Sequence, residues 1–198
     1  MKTAMRDSVA IWGVLGIPFT IVSGSALHFA FGWSGYWTPV AIVAAVNESV
    51  WEHLKLAFWP GLLWASLESW SGRLDAERYW AAKGLAVFVA PLLIVSLFYG
   101  YTSFIGRNWL ALDITIFVIA VACSQLISIW LLQSQALDKL RHMGIGALII
   151  QLAAFSTFTY FPPPFSIFED TRNGMRGIPA DAVPLPMNHT GSGSALNP

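Results

Sequence analysis

The sequence predicts an all-α protein that crosses a membrane with about five helices. Of its 198 residues, 56% are hydrophobic and only 11% are charged, and the mean hydropathy is +0.59. Ten Trp and 13 Phe residues add more aromatic surface than soluble domains usually carry. This composition is typical of polytopic helical membrane proteins. The formal net charge is zero, so we expect the lipid bilayer as a partner and no nucleic acid.

Four apolar stretches are long enough to cross a hydrocarbon core of about 30 Å, which takes about 20 helical residues. They are residues 8–31, 84–105, 109–132 and 144–161. A fifth stretch, residues 36–70, is too long for one straight crossing, so it must be broken. We place the break at Asn47, because Asn is a favoured N-cap and the helix dipole then favours Glu48 in the first turn. The second helix is expected to run to Ser69, after a short re-entrant or interfacial segment.

Insertion energies favour this broken arrangement. An unbroken helix would place Glu48, Glu52 and Lys55 near the middle of the bilayer, at about 2.5–3.5 kcal/mol each. The total penalty would be about 8–10 kcal/mol. A helix that starts at Asn47 moves all three side chains towards one interface and lowers this cost.

Basic residues in short loops predict the orientation. With five crossings, one side holds seven of them and the other holds three, namely Arg107, Arg172 and Arg176. We therefore expect the N-terminus in the cytoplasm and the C-terminus outside. Pro162 ends the fifth helix, because proline lacks the amide proton that a continuing helix needs. Residues 1–178 are predicted to form one transmembrane domain, and residues 179–198, which are rich in Pro, Gly and Ser, a disordered tail.

Three pieces of the chain carry a resemblance to a known family. They are His28-Phe29 with Trp33-Ser34, then Asn47 through Lys55, then Phe161-Pro162-Pro163 with Phe168, Asp170, Gly174 and Gly177-Ile178. In these pieces the chain resembles a family of uncharacterised multi-pass membrane proteins of prokaryotes, and the specific part is the signature Asn-Glu-Ser-x-Trp-Glu-His-x-Lys. The resemblance implies a protein of the bacterial cytoplasmic (inner) membrane with about five helices. It implies no activity.

Polar residues of separate segments are expected to meet at the outer end of the bundle. On a helix that starts at Asn47, the side chains of Glu48, Glu52 and Lys55 share one face, with His53 on the adjacent stripe. Charged groups at membrane depth are costly, rare and usually functional. The predicted outward-facing pocket combines seven residues: His28, Asn47, Glu48, Glu52, His53, Lys55 and Asp113. Asn47, Lys55, Trp33, Trp51 and Asp170 are the predicted substrate-binding residues.

The first interpretation of this pocket is a metal site. Two His residues with carboxylates suit a divalent metal such as zinc or iron. The candidate ligands are His28, Glu52, His53 and Asp113. Glu48 would then act as the general base.

The second interpretation is acid–base catalysis without a metal. A carboxyl group that is desolvated among aromatic side chains keeps its proton more readily than in water. Glu48 or Glu52 would be the acid, and Asp113 or His28 the base. In both interpretations the protein is a membrane-embedded enzyme that acts on an amphipathic, lipid-like or isoprenoid substrate.

The third interpretation is structural. Lys55 would neutralise Glu48 or Glu52, and the polar residues would only hold helices together, as buried polar groups in membrane proteins often do. The chain would then be a non-catalytic accessory or assembly protein, with another membrane protein as its partner. The sequence leaves these three interpretations open, with the enzyme as the leading hypothesis.

Overall fold

The computed structural model describes residues 2–70 and 75–180, and over these ranges the chain is helical, as predicted. The five helices are α1 (Lys2–Trp33), α2 (Val50–Ser69), α3 (Ala76–Ile105), α4 (Leu110–Gln133) and α5 (Leu137–Thr157). Short 3-10 helices, Thr38–Ile42 and Ser166–Phe168, follow α1 and α5. The described residues contain no β-strand, only one isolated bridge between Glu169 and Arg176. From residue 181 onward the predicted tail lies outside the described residues, and so does Arg73.

Three of the helical stretches are long and apolar enough to cross a membrane: Arg6–Trp33, Ala76–Ile105 and Leu110–Gln133. They suggest a membrane protein. Helices α2 and α5, with 20 and 21 residues, are long enough in principle. Each carries at least three charged side chains, which lowers its mean hydropathy.

Helix α3 lies at the centre of the bundle, in contact with α2, α4 and α5, while α1 packs against α2 and α4. Contacts between His28 and His53 and between Tyr101 and Asp113 show that α1/α2 and α3/α4 are antiparallel. The ends of these four helices line one cavity, and Thr159, just after α5, bonds to Glu52 of α2. The C-terminal ends of α1, α3 and α5 and the N-terminal ends of α2 and α4 therefore meet at one end of the bundle. We call this the Asn47 end.

Helices α3 and α5 cross where both carry glycine. A Cβ atom on Gly84 would lie 2.0 Å from the Gly144 carbonyl oxygen, and one on Gly144 would lie 2.1 Å from the Ala81 carbonyl oxygen. Small residues at such crossings let two backbones approach closely, which is how membrane helices gain packing energy without a hydrophobic driving force.

The break before α2 occurs as predicted, but the helix begins two residues later than expected. Its N-cap is Ser49, whose Oγ accepts a hydrogen bond from the Glu52 amide at 3.3 Å. Asn47 instead accepts from the Ser49 amide through Oδ1 at 2.9 Å. Both residue types are good N-caps, and the Ser-x-x-Glu spacing of a capping box favours Ser49.

Glu68, at the opposite end of the bundle, is buried in an ion pair. It is 5% exposed and lies 2.5 Å from the ammonium group of Lys83, which is 3% exposed. The Tyr79 hydroxyl lies 3.0 Å from the same Glu68 oxygen. This ion pair joins α2 to α3 inside the bundle.

Candidate functional site

Three candidate metal-ligating side chains converge at the Asn47 end. The Nε2 atoms of His28 and His53 lie 3.3 Å apart. Glu48 Oε2 lies 3.8 Å from His28 Nε2 and 3.5 Å from His53 Nε2. These residues, which we call the His–Glu–His cluster, are partly exposed, at 24–34% of their side-chain surface.

The late start of α2 brings Glu48 into this cluster. His28 lies in the last turns of α1 and His53 in the first turn of α2, whereas Glu48 precedes the helix. The extended backbone of Ser49, with φ −75° and ψ 154°, separates Glu48 from the helical turns. The expectation that Glu48, Glu52 and Lys55 share one helical face is therefore wrong. Glu48 joins the two imidazoles, and the other two side chains point elsewhere.

A hydrogen bond to the backbone orients the His53 ring. Its Nδ1 lies 2.8 Å from the Ser49 carbonyl oxygen, which only accepts hydrogen bonds. Nδ1 therefore carries the proton, and Nε2 of the neutral ring presents its lone pair to the cluster. A backbone carbonyl on the far nitrogen is the usual second partner of a metal-binding His.

The spacing of the cluster suits a small divalent ion. A tetrahedral zinc ion with bonds of about 2.0–2.2 Å holds neighbouring ligand atoms about 3.3–3.6 Å apart. All three ligand atoms of the cluster lie within 4.8 Å of one another, and two of the three separations are 3.3 and 3.5 Å. Two His and one carboxylate leave a fourth position for water or substrate, the arrangement of a catalytic zinc site. The same donor set also suits ferrous iron.

Residues 158–180, which we call the covering segment, fold over the cluster. Arg172 Nη2 lies 3.0 Å from Glu48 Oε1, the oxygen that faces away from the imidazoles. Asp170 accepts hydrogen bonds from the Glu48 amide at 3.1 Å and from the Arg172 amide at 2.7 Å. Asp170 is only 7% exposed, and its hydrogen bonds hold the covering segment against Glu48.

Further hydrogen bonds tie this segment to the chain before α2. Asn47 Nδ2 donates to the Gly177 carbonyl at 2.8 Å, and the Tyr160 hydroxyl donates to the Thr38 carbonyl at 2.9 Å. Asn47, a predicted substrate-binding residue, thus bonds to the backbone of Ser49 after the break and of Gly177 in the covering segment.

The cluster lies at the polar end of a cavity of about 590 Å³ between α1, α2, α3 and α4. Its walls are mostly apolar, with Ile21, Leu56, Ile94, Phe98 and Phe117 among them. Polar lining is concentrated at one end: His28, Glu48, His53, Asn108, Asp113, Thr171 and Arg172. Small-molecule sites usually have about 300–1,000 Å³ and a few polar groups on apolar walls. This cavity therefore has the size and polarity expected for a small amphipathic ligand.

Asp113 lines the same cavity as the cluster but makes different contacts. The Tyr101 hydroxyl donates to Asp113 Oδ1, and Asn108 Nδ2 lies 3.4 Å from Oδ2. The Tyr101 hydroxyl in turn accepts from the Trp109 amide at 3.0 Å. Asp113 is thus held in place beside the His–Glu–His cluster by groups from α3 and the α3–α4 turn.

Glu52 and Lys55 form a separate, buried network. The Lys55 ammonium group contacts three acceptors: Glu52 Oε2 at 2.6 Å, the Ala41 carbonyl at 2.7 Å and Thr159 Oγ1 at 2.8 Å. Thr159 donates to Glu52 Oε1 at 3.0 Å, and the Val46 amide donates to Glu52 Oε2 at 3.0 Å. The side chains of Lys55 and Glu52 are 0% and 2% exposed. Every ammonium proton therefore has a partner, and we call this group the Lys55 network.

The two predicted substrate-binding tryptophans lie away from the polar end of the cavity. Trp51 packs in an aromatic group with Phe155 and Phe168, each 4.7 Å away between ring centroids. Trp33 is 73% exposed and stacks on Phe29. Exposed Trp near a helix end is typical of a membrane interface.

Sequence reasoning did not identify Arg172, Tyr101 or Thr159 as residues of these groups. Arg172 was considered only as one of the basic loop residues that predict the orientation. The long-range partners of all three residues depend on how the covering segment and the α3–α4 turn fold back. One sequence signal was present for Arg172, because a basic residue close to the acidic Glu169-Asp170 pair is a candidate partner for a site carboxylate.

Comparison with known proteins identifies the family of the chain. No curated protein and no solved structure matches it. A family model does match, over residues 1–178, which agrees with the uncharacterised family expected from the sequence. The chain belongs to this family, DUF6512, a family of unknown function.

Proposed function

We propose that this protein is a membrane-embedded, metal-dependent enzyme that acts on a lipid-like substrate. The observation that carries the proposal is the convergence of His28 Nε2, Glu48 Oε2 and His53 Nε2 at the polar end of an apolar cavity. Zinc is the proposed ion, because His and carboxylate ligands with an open fourth position suit it.

Hydrolysis is the reaction that this arrangement supports best. A divalent ion lowers the pKa of its bound water towards neutrality and so generates a nucleophilic hydroxide. Asp113 lines the same cavity and is the proposed acceptor of the water proton. Water activated in this way would attack a carbon or phosphorus atom at the head of the substrate as the bond to the leaving group breaks. Asp113 would then return the accepted proton to the leaving group. Glu48 thus becomes a ligand, in place of the general base assigned from the sequence.

We propose five crossings, with the N-terminus in the cytoplasm and the site facing outward from the bacterial cytoplasmic membrane. In this arrangement the two charged pairs of α2 contribute to packing, because Lys55 neutralises Glu52 and Lys83 neutralises Glu68 at 2.6 and 2.5 Å. Pairing within the bundle offsets much of the cost of charge at membrane depth. The excess of basic residues at the end opposite Asn47 supports the orientation.

Cysteine labelling in intact cells tests this orientation. With Cys123 replaced by Ala, a Thr171→Cys variant is expected to react with a membrane-impermeant maleimide. A His142→Cys variant, at the other end of the bundle, is expected to react only after the cells are permeabilised. The reverse pattern would contradict the proposed topology.

Zinc titration of the purified protein tests the function. Protein in a neutral detergent, stripped with a chelator, is expected to bind one zinc ion per chain. His28→Ala and His53→Ala each remove a ligand, so we expect them to weaken zinc binding by about 100-fold or more, beyond the 10–100-fold typical of outer-shell partners.

His142→Ala is the matched control, because His142 is exposed on α5 and lies outside the cluster. We expect it to bind zinc like the wild type. Failure of the wild-type protein to bind zinc or ferrous iron, or equal weakening by all three replacements, would overturn the metal-dependent enzyme.

The alternative, a non-catalytic accessory protein, draws support from the Lys55 network. Two of the predicted catalytic and binding residues, Glu52 and Lys55, bond to one another and to their own bundle. If the His–Glu–His cluster were structural as well, the wild type would bind no metal. His53→Ala would then lower the melting temperature strongly. The enzyme proposal predicts the opposite, a bound ion and a small change in the melting temperature of the stripped protein.

A further inference from the structure

We propose that the substrate is a single-chain amphiphile with an anionic head. Its hydrocarbon chain would lie in the cavity between α1 and α4, and its head between Arg172 and the metal ion. This inference rests on the proposed function, because the ion contributes to binding the head.

The cavity has the shape of one chain with one head. Along α1 its lining runs from His28 to Ile21 and along α4 from Leu110 to Val118, which corresponds to a depth of about 10–12 Å at 1.5 Å per residue. Apart from Ser25, whose hydroxyl donates to the Ile21 carbonyl, polar residues line only the end near His28, and the deeper walls are hydrocarbon. A ligand with polar groups along its length would leave them unpaired in the deep part, at a cost of about 1–3 kcal/mol each.

The cavity opens on the flank of the bundle. Ile114 and Val118 of α4 line it and are nevertheless 55% and 37% exposed. Ser25 of α1 also lines it and is exposed. In a helix that crosses the membrane, such exposed apolar residues face lipid. An amphiphile in the bilayer therefore has a lateral entry between α1 and α4, with its head at the level of the His–Glu–His cluster.

Charge at the polar end favours an anionic head once a divalent ion is bound. With neutral imidazoles, the carboxylates of Glu48 and Asp113 outnumber the single cationic group, that of Arg172. A divalent ion reverses this balance to one excess positive charge. At close range such a reversal raises the affinity for an anionic head.

Arg172 supplies the directional part of the recognition. Its side chain is 74% exposed, and one of its terminal nitrogens contacts Glu48 Oε1 at 3.0 Å. The remaining donors of the planar guanidinium suit the oxygens of a carboxylate or a phosphate. Glu48 would thus bind the metal through Oε2 and orient Arg172 through Oε1. The head group then meets the cation and the guanidinium side by side.

Binding of a matched pair of probes to the full-length protein tests the inference. Radiolabelled dodecyl phosphate and dodecanol share a chain and differ in the head, and nanodiscs of a zwitterionic lipid hold the protein in both measurements. With zinc, the wild type is expected to bind dodecyl phosphate at least about tenfold more tightly than without zinc. Because coupling between two ligands is reciprocal, dodecyl phosphate should tighten zinc binding by the same factor. Dodecanol should bind equally in both conditions.

Arg172→Gln is expected to weaken dodecyl phosphate binding about tenfold, the effect of one charge-assisted hydrogen bond. Arg176→Gln is the matched control, because Arg176 lies in the same covering segment and pairs with Glu169 at 2.5 Å, outside the cavity lining. We expect no change for this variant, and no effect of either replacement on dodecanol.

The outcomes separate this inference from the proposed function. If zinc binds but dodecanol binds as tightly as dodecyl phosphate, or if Arg172→Gln has no effect, the anionic amphiphile is wrong and the metal site stands. If dodecyl phosphate binds equally with and without zinc, the proposed contact between head and ion is wrong. If neither zinc nor ferrous iron binds in the titration without amphiphile, the proposed function itself fails.

Discussion

Replacing Lys55 by Met is expected to lower the free energy of unfolding by about 3–5 kcal/mol, the range for removing one partner of a buried ion pair. The replacement keeps an unbranched chain of similar size, so the change is chiefly one of charge. It leaves the Glu52 carboxylate buried at 2% exposure without its cation. It also removes the donor to the Ala41 carbonyl and to Thr159. The break before α2 and the start of the covering segment then lose a common partner.

Thermal melting of the detergent-solubilised protein measures this effect. Arg141→Met is the matched control, because Arg141 pairs with Glu77 at 3.3 Å while both side chains are 34% exposed or more. An exposed pair of this kind is worth about 1 kcal/mol or less. Equal melting temperatures for the two variants would show that the Lys55 network does not stabilise the bundle.

Zinc binding by Lys55→Met separates the two polar groups of the Asn47 end. Lys55 contacts Glu52, Thr159 and the Ala41 carbonyl, whereas the cluster atoms contact one another, Ser49 and Arg172. We therefore expect a folded fraction of the variant to keep its zinc stoichiometry. In that case the structural interpretation applies to Glu52 and Lys55. The catalytic interpretation applies to Glu48 and His53, which lie in the same short stretch of sequence.

Helix content could be predicted from the sequence because it depends on local composition. The apolar stretches and the charges of residues 48–55 indicate where helices run and break. The fifth helix ends at Thr157, five residues before the Pro162 that was expected to end it. The start of α2 was misplaced because Asn47 and Ser49 are both strong N-caps two residues apart. Ser49 is the N-cap in the structure, because its side chain accepts the hydrogen bond from the Glu52 amide. That small shift decides which carboxylate meets the imidazoles.

The division of the polar residues into two groups could not be predicted from the sequence. Thr159 bonds to Glu52 across 107 residues, and Asp170 bonds to the Glu48 amide across 122. Such pairs depend on the path of the covering segment, and no local pattern encodes it. The burial of Glu68 could not be predicted either. Its charge and its position near a helix end are those of a residue that faces lipid headgroups, and it is buried because Lys83 of α3 reaches it.

Replacing Gly144 by Ala is expected to disrupt the α3–α5 crossing. The added methyl group would lie 2.1 Å from the Ala81 carbonyl oxygen, a backbone atom that moves only with its helix. The two helices must then separate, with loss of the packing that holds α5 to the centre of the bundle. We expect a destabilisation of about 1–3 kcal/mol, the usual cost of overpacking, or more if α5 detaches. Thermal melting and size-exclusion chromatography of the purified variant measure it.

Gly146→Ala gives a control of opposite sign on the same helix. A Cβ atom at Gly146 would meet no atom within 4 Å in the described part of the chain, and alanine favours a helix over glycine by about 0.8–1.0 kcal/mol. This variant should melt at or above the wild-type temperature. Because both replacements add the same methyl group two residues apart, opposite effects can only come from what each methyl group meets. Equal effects would mean that α3 and α5 do not approach at Gly144 as closely as the structure shows.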